Sequence, residues 1–147
     1  MAIKALTGQE LAQRLEAALP DAVERWDQQT AWVRPERIAR VCQFLRDDPE
    51  LDFQFLSSLS AVDFIEHFDL VYHLTSLRRQ HTGVVKTRLY GRESPSLPSV
   101  YPVWRGADFQ EREVWDLMGV RFEGHPNLKR IMLWEGFEGH PLRKDFL

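Results

Sequence analysis

Apolar residues recur at three- and four-residue steps in some stretches of this chain and at two-residue steps in others, and that contrast sets out its elements. Leu11, Leu15, Ala18 and Leu19 keep helical spacing, which predicts a helix that ends at Pro20 with these four side chains toward the core. Its start is marked too. In Thr7-Gly8-Gln9-Glu10 the threonine stands as N-cap and Glu10 at the third helical position, the reciprocal pattern of a capping box, with Leu6 and Leu11 placed to close a hydrophobic staple. A second helix begins at Pro35, a residue suited to a first turn, and carries Ile38, Val41, Cys42 and Leu45 on one stripe before Asp47-Asp48-Pro49 breaks it. Between the two helices, Val23–Trp26 and Thr30–Val33 form short strands around the polar turn Asp27-Gln28-Gln29.

The middle of the chain changes period. Leu51–Asp63 is apolar but holds three serines, and predicts a buried strand around Phe53–Leu59 with a turn near Asp63. Phe68–Leu77 and Val84–Tyr90 alternate apolar and polar residues, which predicts a central hairpin joined by Gln80-His81-Thr82-Gly83. Glu93–Pro98 reads as a loop and Ser99–Trp104 as a single helical turn. A third helix follows from Ala107 to Met118, with Val114, Leu117 and Met118 on its inner side and Gly119 as the residue that stops it. This order predicts an α+β fold: a mostly antiparallel or mixed sheet with helices packed against it, in a core domain of residues 1–121. Residues 122–147 are expected to form an extended C-terminal interaction segment.

Composition narrows the function. At 147 residues and 44% hydrophobic, the chain supports one domain with a real core. A net charge of −3 gives no broad positive field, so nucleic acid is not expected as a partner. No apolar run approaches the roughly 18 residues of a membrane span, and the first residues lack the apolar core of a signal peptide, so a cytosol-like compartment is expected. The single cysteine, Cys42, lies on a helical stripe and is expected to be a buried thiol. It excludes an intramolecular disulfide, and any cluster or zinc site that draws several thiolates from this chain.

Candidate chemistry is sparse. Ser57, Ser58 and Ser60 lack the G-x-S-x-G elbow of a serine nucleophile, and the glycines form neither a G-x-G-x-x-G turn nor a Walker loop. A metallohydrolase could in principle draw ligands from His125, His140, Asp116, Glu113 and Asp145. The spacing speaks against it, because no HExxH pair is present and each tail histidine precedes a proline in extended backbone. His67, His73 and His81 are expected to face solvent or to be satisfied by hydrogen bonds. On the third helix, Glu111, Arg112, Glu113 and Asp116 form either a solvated face, with an Arg112–Asp116 pair worth about 0.2–0.5 kcal/mol, or a charged docking face. The sequence alone leaves both open.

The segment after this helix is more telling. Phe122-Glu123-Gly124-His125-Pro126 recurs as Phe137-Glu138-Gly139-His140-Pro141, with Lys129-Arg130 after the first copy and Arg143-Lys144 after the second. Leu128, Ile131, Met132, Leu133, Trp134, Leu142 and Phe146 are set among these charges and prolines without a sustained period. A segment of that kind either folds back over its own sheet or lies across another protein, with aromatics as anchors and arginines forked onto carboxylates.

Glu111-Arg112-Glu113, Asp116, Gly119, Phe122, His125-Pro126, Lys129-Arg130-Ile131, Glu138-Gly139-His140-Pro141 and Leu142-Arg143-Lys144-Asp145 resemble the signature of the 30-kDa-type subunit of respiratory NADH:quinone oxidoreductase, complex I. Asp47-Asp48-Pro49-Glu50-Leu51 and Ala61-Val62-Asp63 resemble the same family. The resemblance implies a non-catalytic core subunit of the peripheral arm, on the cytoplasmic side of the cell inner membrane, which touches the membrane only through the complex. It implies no cofactor on this chain, with FMN and iron–sulfur clusters on other subunits. The implied partners are the 49-kDa-type quinone-site subunit and other peripheral-arm subunits. By motif position, Glu111, Arg112, Glu113, Asp116, His125, Arg130, His140, Arg143, Lys144 and Asp145 would take a packing or assembly role. Related membrane hydrogenases and other quinone or cofactor dehydrogenases share the pattern, so the donor stays open.

Overall fold

The computed structural model describes residues 2–134 and 136–146. Chain order is β1 (Lys4–Ala5), α1 (Gly8–Ala18), β2 (Val23–Trp26), β3 (Thr30–Val33), a 3-10 turn (Pro35–Arg37), α2 (Ile38–Asp47), β4 (Phe55–Asp63), β5 (His67–Ser76), β6 (His81–Tyr90), β7 (Ser96–Pro98), α3 (Ala107–Met118) and β8 (Arg121–Glu123). The main sheet runs β2-β3-β6-β5-β4 and is mixed: β3 and the short β1 lie parallel to β6, while the other neighbours are antiparallel. The α+β reading therefore holds, with the β5–β6 hairpin at the centre.

Local chemistry explains the ends of these elements. Thr7 Oγ1 accepts the Glu10 N–H at 3.1 Å and Glu10 Oε1 accepts the Thr7 N–H at 3.3 Å, which closes the expected capping box. The residue after Thr7 must be glycine, because a Cβ on Gly8 would stand 2.1 Å from the Asp27 carbonyl oxygen. Along β6, the odd-numbered residues from His81 to Leu89 are buried and the even-numbered ones are more exposed, so the sheet presents one face to the core. On α2, Ile38, Val41, Cys42 and Leu45 are all buried, as their spacing requires.

Five expectations need correction, the first being the loop at Glu93–Pro98, whose last three residues form β7 and pair in parallel with β8. Ala18 is exposed and Leu19 only half-buried, while Ala12 and Gly8 join Leu11 and Leu15 inside, because the sheet meets the start of α1 rather than its end. Leu117 is likewise only half-buried on α3. The strand expected at Phe53–Leu59 runs instead from Phe55 to Asp63 and is not buried on both faces. It is an edge strand, so Leu56, Leu59 and Asp63 point inward and the serines outward. Its register slips between Leu56 and Ser58, and there the Gln110 amide of α3 takes the Leu59 N–H at 2.6 Å and donates to the Leu56 carbonyl at 3.1 Å, closing part of the free edge. Finally, the central hairpin turns at Leu77–Gln80, so that His81, Thr82 and Gly83 are already paired in β6. His81 is buried, with Nε2 2.6 Å from the Leu51 carbonyl oxygen.

Candidate functional site

Three carboxylates organise the C-terminal third of the molecule, and two of them lie on α3. Asp116 is fully enclosed in the last turn of that helix. Its Oδ1 accepts from Arg130 at 2.6 Å, and its Oδ2 accepts three consecutive backbone N–H groups, from Ile131 (3.1 Å), Met132 (2.7 Å) and Leu133 (3.0 Å). Its carbonyl, one of those a helix end leaves unpaired, receives Arg130 and His140 Nδ1, both at 2.9 Å. Burial opposes the Asp116 charge, but Arg130 and the three amides outweigh it and hold the carboxyl below the usual range. The expected Arg112–Asp116 pair does not form. Arg112 instead donates to the carbonyls of Lys129 and Arg130.

The segment after β8 is thus wrapped around the end of α3 by its polar groups. Arg130 reaches the carbonyls of Phe137 (3.0 Å) and Gly139 (2.6 Å) as well. His140 packs on Trp115 with ring centroids 4.9 Å apart. Gly119, the C-cap, adopts φ 78° as expected, and a Cβ there would come within 2.7 Å of the His140 ring, so the tail's approach requires glycine twice over.

Glu111, also fully enclosed, accepts from Ser99 Oγ at 2.5 Å and from the Val100 N–H at 2.8 Å, and joins α3 to the turn after β7. No cation accompanies it among the described residues. Burial pushes its carboxyl up to about 7, the two hydrogen bonds pull back against this, and the nearby Asp108 adds to the rise. Burial likewise raises Cys42 and Tyr72, each with a smaller push from Glu111. Of Glu111, Arg112, Glu113 and Asp116, then, Glu111 and Asp116 form neither a solvated nor a docking face. Glu113 alone is fully outward-facing, and Arg112 is half-buried.

A third carboxylate fastens the end of the tail. Asp63, at the end of β4, takes a forked contact from Arg92 (2.8 and 2.7 Å) and the backbone N–H groups of Ile65 (2.7 Å) and Lys144 (2.8 Å). Arg92, chief among these, holds it well below the usual carboxylate range. Arg92 also reaches Asp145 at 3.1 Å, and Arg143 meets Asp145 at 3.0 Å while donating to the Arg92 carbonyl. Sequence reading passed over Asp63 and Arg92 as site residues. The only signal was the Ala61-Val62-Asp63 likeness, since their partners lie far along the chain.

His125 is enclosed, with Nε2 3.0 Å from an Asp108 carboxylate oxygen and Nδ1 accepting the Asn127 N–H at 2.9 Å. The two tail histidines are therefore engaged with different partners. Among the described residues no three of His, Cys, Asp and Glu converge as a metal ion requires. No helix among those residues is long and apolar enough to cross a membrane.

The fastening has a consequence for the apolar side chains. With backbone N–H groups and arginines turned toward α3 and β4, Ile131, Met132, Trp134, Leu142 and Phe146 are turned outward, Trp134 by as much as 69%. Phe122 and Leu128 do the reverse and join the core. The tail thus folds back through its polar groups while it displays much of its grease.

Fold and site together define a class: a two-layer α+β protein whose C-terminal segment is pinned by enclosed carboxylates with an apolar surface left uncovered. The chain belongs to the family described as the 30-kDa subunit of respiratory-chain NADH dehydrogenase, whose model matches residues 31–147. It is 45% identical to the C-type subunit of the NADH-quinone oxidoreductase of Roseiflexus sp. (strain RS-1), across 96% of this chain and 84% of that one. It is 50% identical to a C-type subunit of the NADH-quinone oxidoreductase of Rhizobium meliloti (strain 1021), across 78% of this chain and 63% of that one. Among solved structures it resembles a chain of the membrane-bound sulfane sulfur reductase, an archaeal respiratory membrane complex, with a TM-score of 0.75, 25% identity, and coverage of 95% of this chain and 85% of that one.

Proposed function

We propose that this chain is a non-catalytic core subunit of the peripheral arm of a proton-translocating NADH:quinone oxidoreductase. It scaffolds the quinone-site subunit of the 49-kDa type on the cytoplasmic side of the membrane. Electrons pass from NADH through FMN and iron–sulfur clusters held by other subunits, and none passes through a cofactor of this chain. The observation that carries this reading is the Asp116 carboxylate, which gathers Arg130 and three successive tail amides and so presents Ile131, Met132 and Trp134 outward as ready-made anchors. Arg112, Asp116, His125, Arg130, His140 and Arg143 shape that surface from within, and Glu111 holds the helix beneath it. Glu113, Lys144 and Asp145 stand on its exposed side.

The test is Trp134→Ser combined with Met132→Ser. Both side chains are mostly exposed and Trp134 loses one edge-on contact with Phe137, so the isolated chain should change stability by no more than about 2 kcal/mol, while recovery of the assembled complex from the native membrane falls. Normal assembly would refute the reading. A second reading, the equivalent subunit of a related membrane-bound reductase, is favoured by the likeness to the sulfane sulfur reductase chain. NADH oxidation by membranes carrying or lacking this chain separates the two.

A further inference from the structure

Away from the tail, one part of the surface combines exposure with backbone strain. The β4–β5 connection holds Ile65 at φ 73° with 59% of the residue exposed. A β-branched residue is disfavoured in that left-handed region, which glycine or asparagine enters with little cost. The conformation is nonetheless imposed from several sides. Asp63 accepts the Ile65 N–H at 2.7 Å, Arg92 donates to the Ile65 carbonyl at 2.7 Å, and Phe64 donates to the His67 carbonyl at 2.9 Å. Strain kept at an exposed apolar residue by such a set of bonds points to a use for its side chain.

Ile65 does not stand alone. The rings of Phe64, His67 and Tyr90 run in a row across the end of the sheet, with centroids 5.1 and 5.7 Å apart, and Phe64 and Tyr90 are themselves 49% and 71% exposed. Val62, on β4, is exposed beside them. The carboxylate that fixes this tip is the same one that takes the Lys144 N–H, and Arg92 spans Asp63, Ile65 and Asp145. Tip and tail end therefore share one set of hydrogen bonds.

We propose that Phe64, Ile65 and Tyr90 are a second set of anchors, which enter an apolar concavity on the same neighbouring subunit that covers the tail. This rests on the scaffold reading above. Area supports it: with large side chains offering about 150–250 Å² each when fully bare, the tail residues expose roughly 500 Å², short of the about 800 Å² per partner of a standard interface. The tip adds roughly 400 Å². Together the two patches reach the size that a stable contact needs, and the Asp63–Arg92 clamp ties the tip to the Lys144–Asp145 end of the tail.

Ile65→Asn separates this role from a local structural one, because asparagine tolerates the left-handed backbone and removes the apolar knob. The isolated variant is expected to unfold at the wild-type temperature or above it. In the complex solubilised from its native membrane, retention of the variant chain through a detergent wash should fall at least about fivefold, the smallest loss that marks an interface anchor. Wild-type retention of Ile65→Asn, with the Trp134→Ser chain released, overturns the anchors and leaves the scaffold reading in place. Wild-type retention of both overturns both. If Ile65→Asn leaves retention unchanged but abolishes self-association of the isolated chain, or its co-sedimentation with anionic phospholipid vesicles, the patch belongs to a second copy or to a lipid surface, and the proposal falls.

Discussion

Glu111 offers a direct test of how the core of this chain is held. Replacing it with Gln keeps the shape and removes the charge, and the site can accept the change. Gln Oε1 can take the Val100 N–H, while the amide NH2 donates to Ser99 Oγ, which already accepts the Tyr101 N–H at 3.0 Å; the Ser99 hydroxyl then loses the acceptor it had in Glu111, a cost that does not vary with pH. The wild-type carboxyl is raised from 4.5 to about 7 on folding, mainly by burial. At about 1.4 kcal/mol per pH unit, ionising it inside costs the fold about 3 kcal/mol. The sign follows from which state keeps the proton. Below pH 4.5 the group is protonated in both folded and unfolded chains and costs nothing. Between 4.5 and about 7 the unfolded chain ionises first, so stability is lost as pH rises, and above about 7 the full penalty applies. Urea unfolding followed by tryptophan fluorescence at steps from about pH 4.5 to 8 should therefore show the Glu111→Gln chain gaining about 3 kcal/mol on the wild type across that range, over a constant offset. A difference that stays flat with pH would mean that Glu111 keeps its charge cheaply, and the argument from burial would fail.

Two further expectations follow from the tail. Asp116→Ala strands Arg130 and three backbone N–H groups, and removing one partner of an enclosed ion pair costs about 3–5 kcal/mol; thermal unfolding measures the loss, and limited proteolysis should cut earliest near Arg130. Gly119→Ala forces a Cβ into the left-handed cap and against His140, so it should destabilise by at least about 1–2 kcal/mol, read by the same unfolding experiment.

What the sequence determined by itself is the set of elements that depend on nearby residues. The capping box of α1, the stripe of α2, the β2–β3 turn, the bounds of α3 and its Gly119 stop are all written within a few positions of where they act. The tail is different: its lack of any period left open whether its apolar side chains would be covered by its own sheet, and the structure divides them, with Phe122 and Leu128 inside and Met132, Trp134 and Leu142 outside. The tertiary structure alone decided what depends on distant neighbours. β4 became an edge strand because only β5 reached it, and β7 and β8 are too short for a two-residue period to show before they pair. The charges of the third helix show the limit most clearly. Spacing placed Arg112 and Asp116 on one face, yet Asp116 turned inward, since an enclosed carboxylate met by a guanidinium and three amides is better satisfied than one paired at the surface. Asp63 and Arg92 stayed hidden for the same reason: a clamp between positions 63, 92 and 144 exists only once the sheet has brought them together.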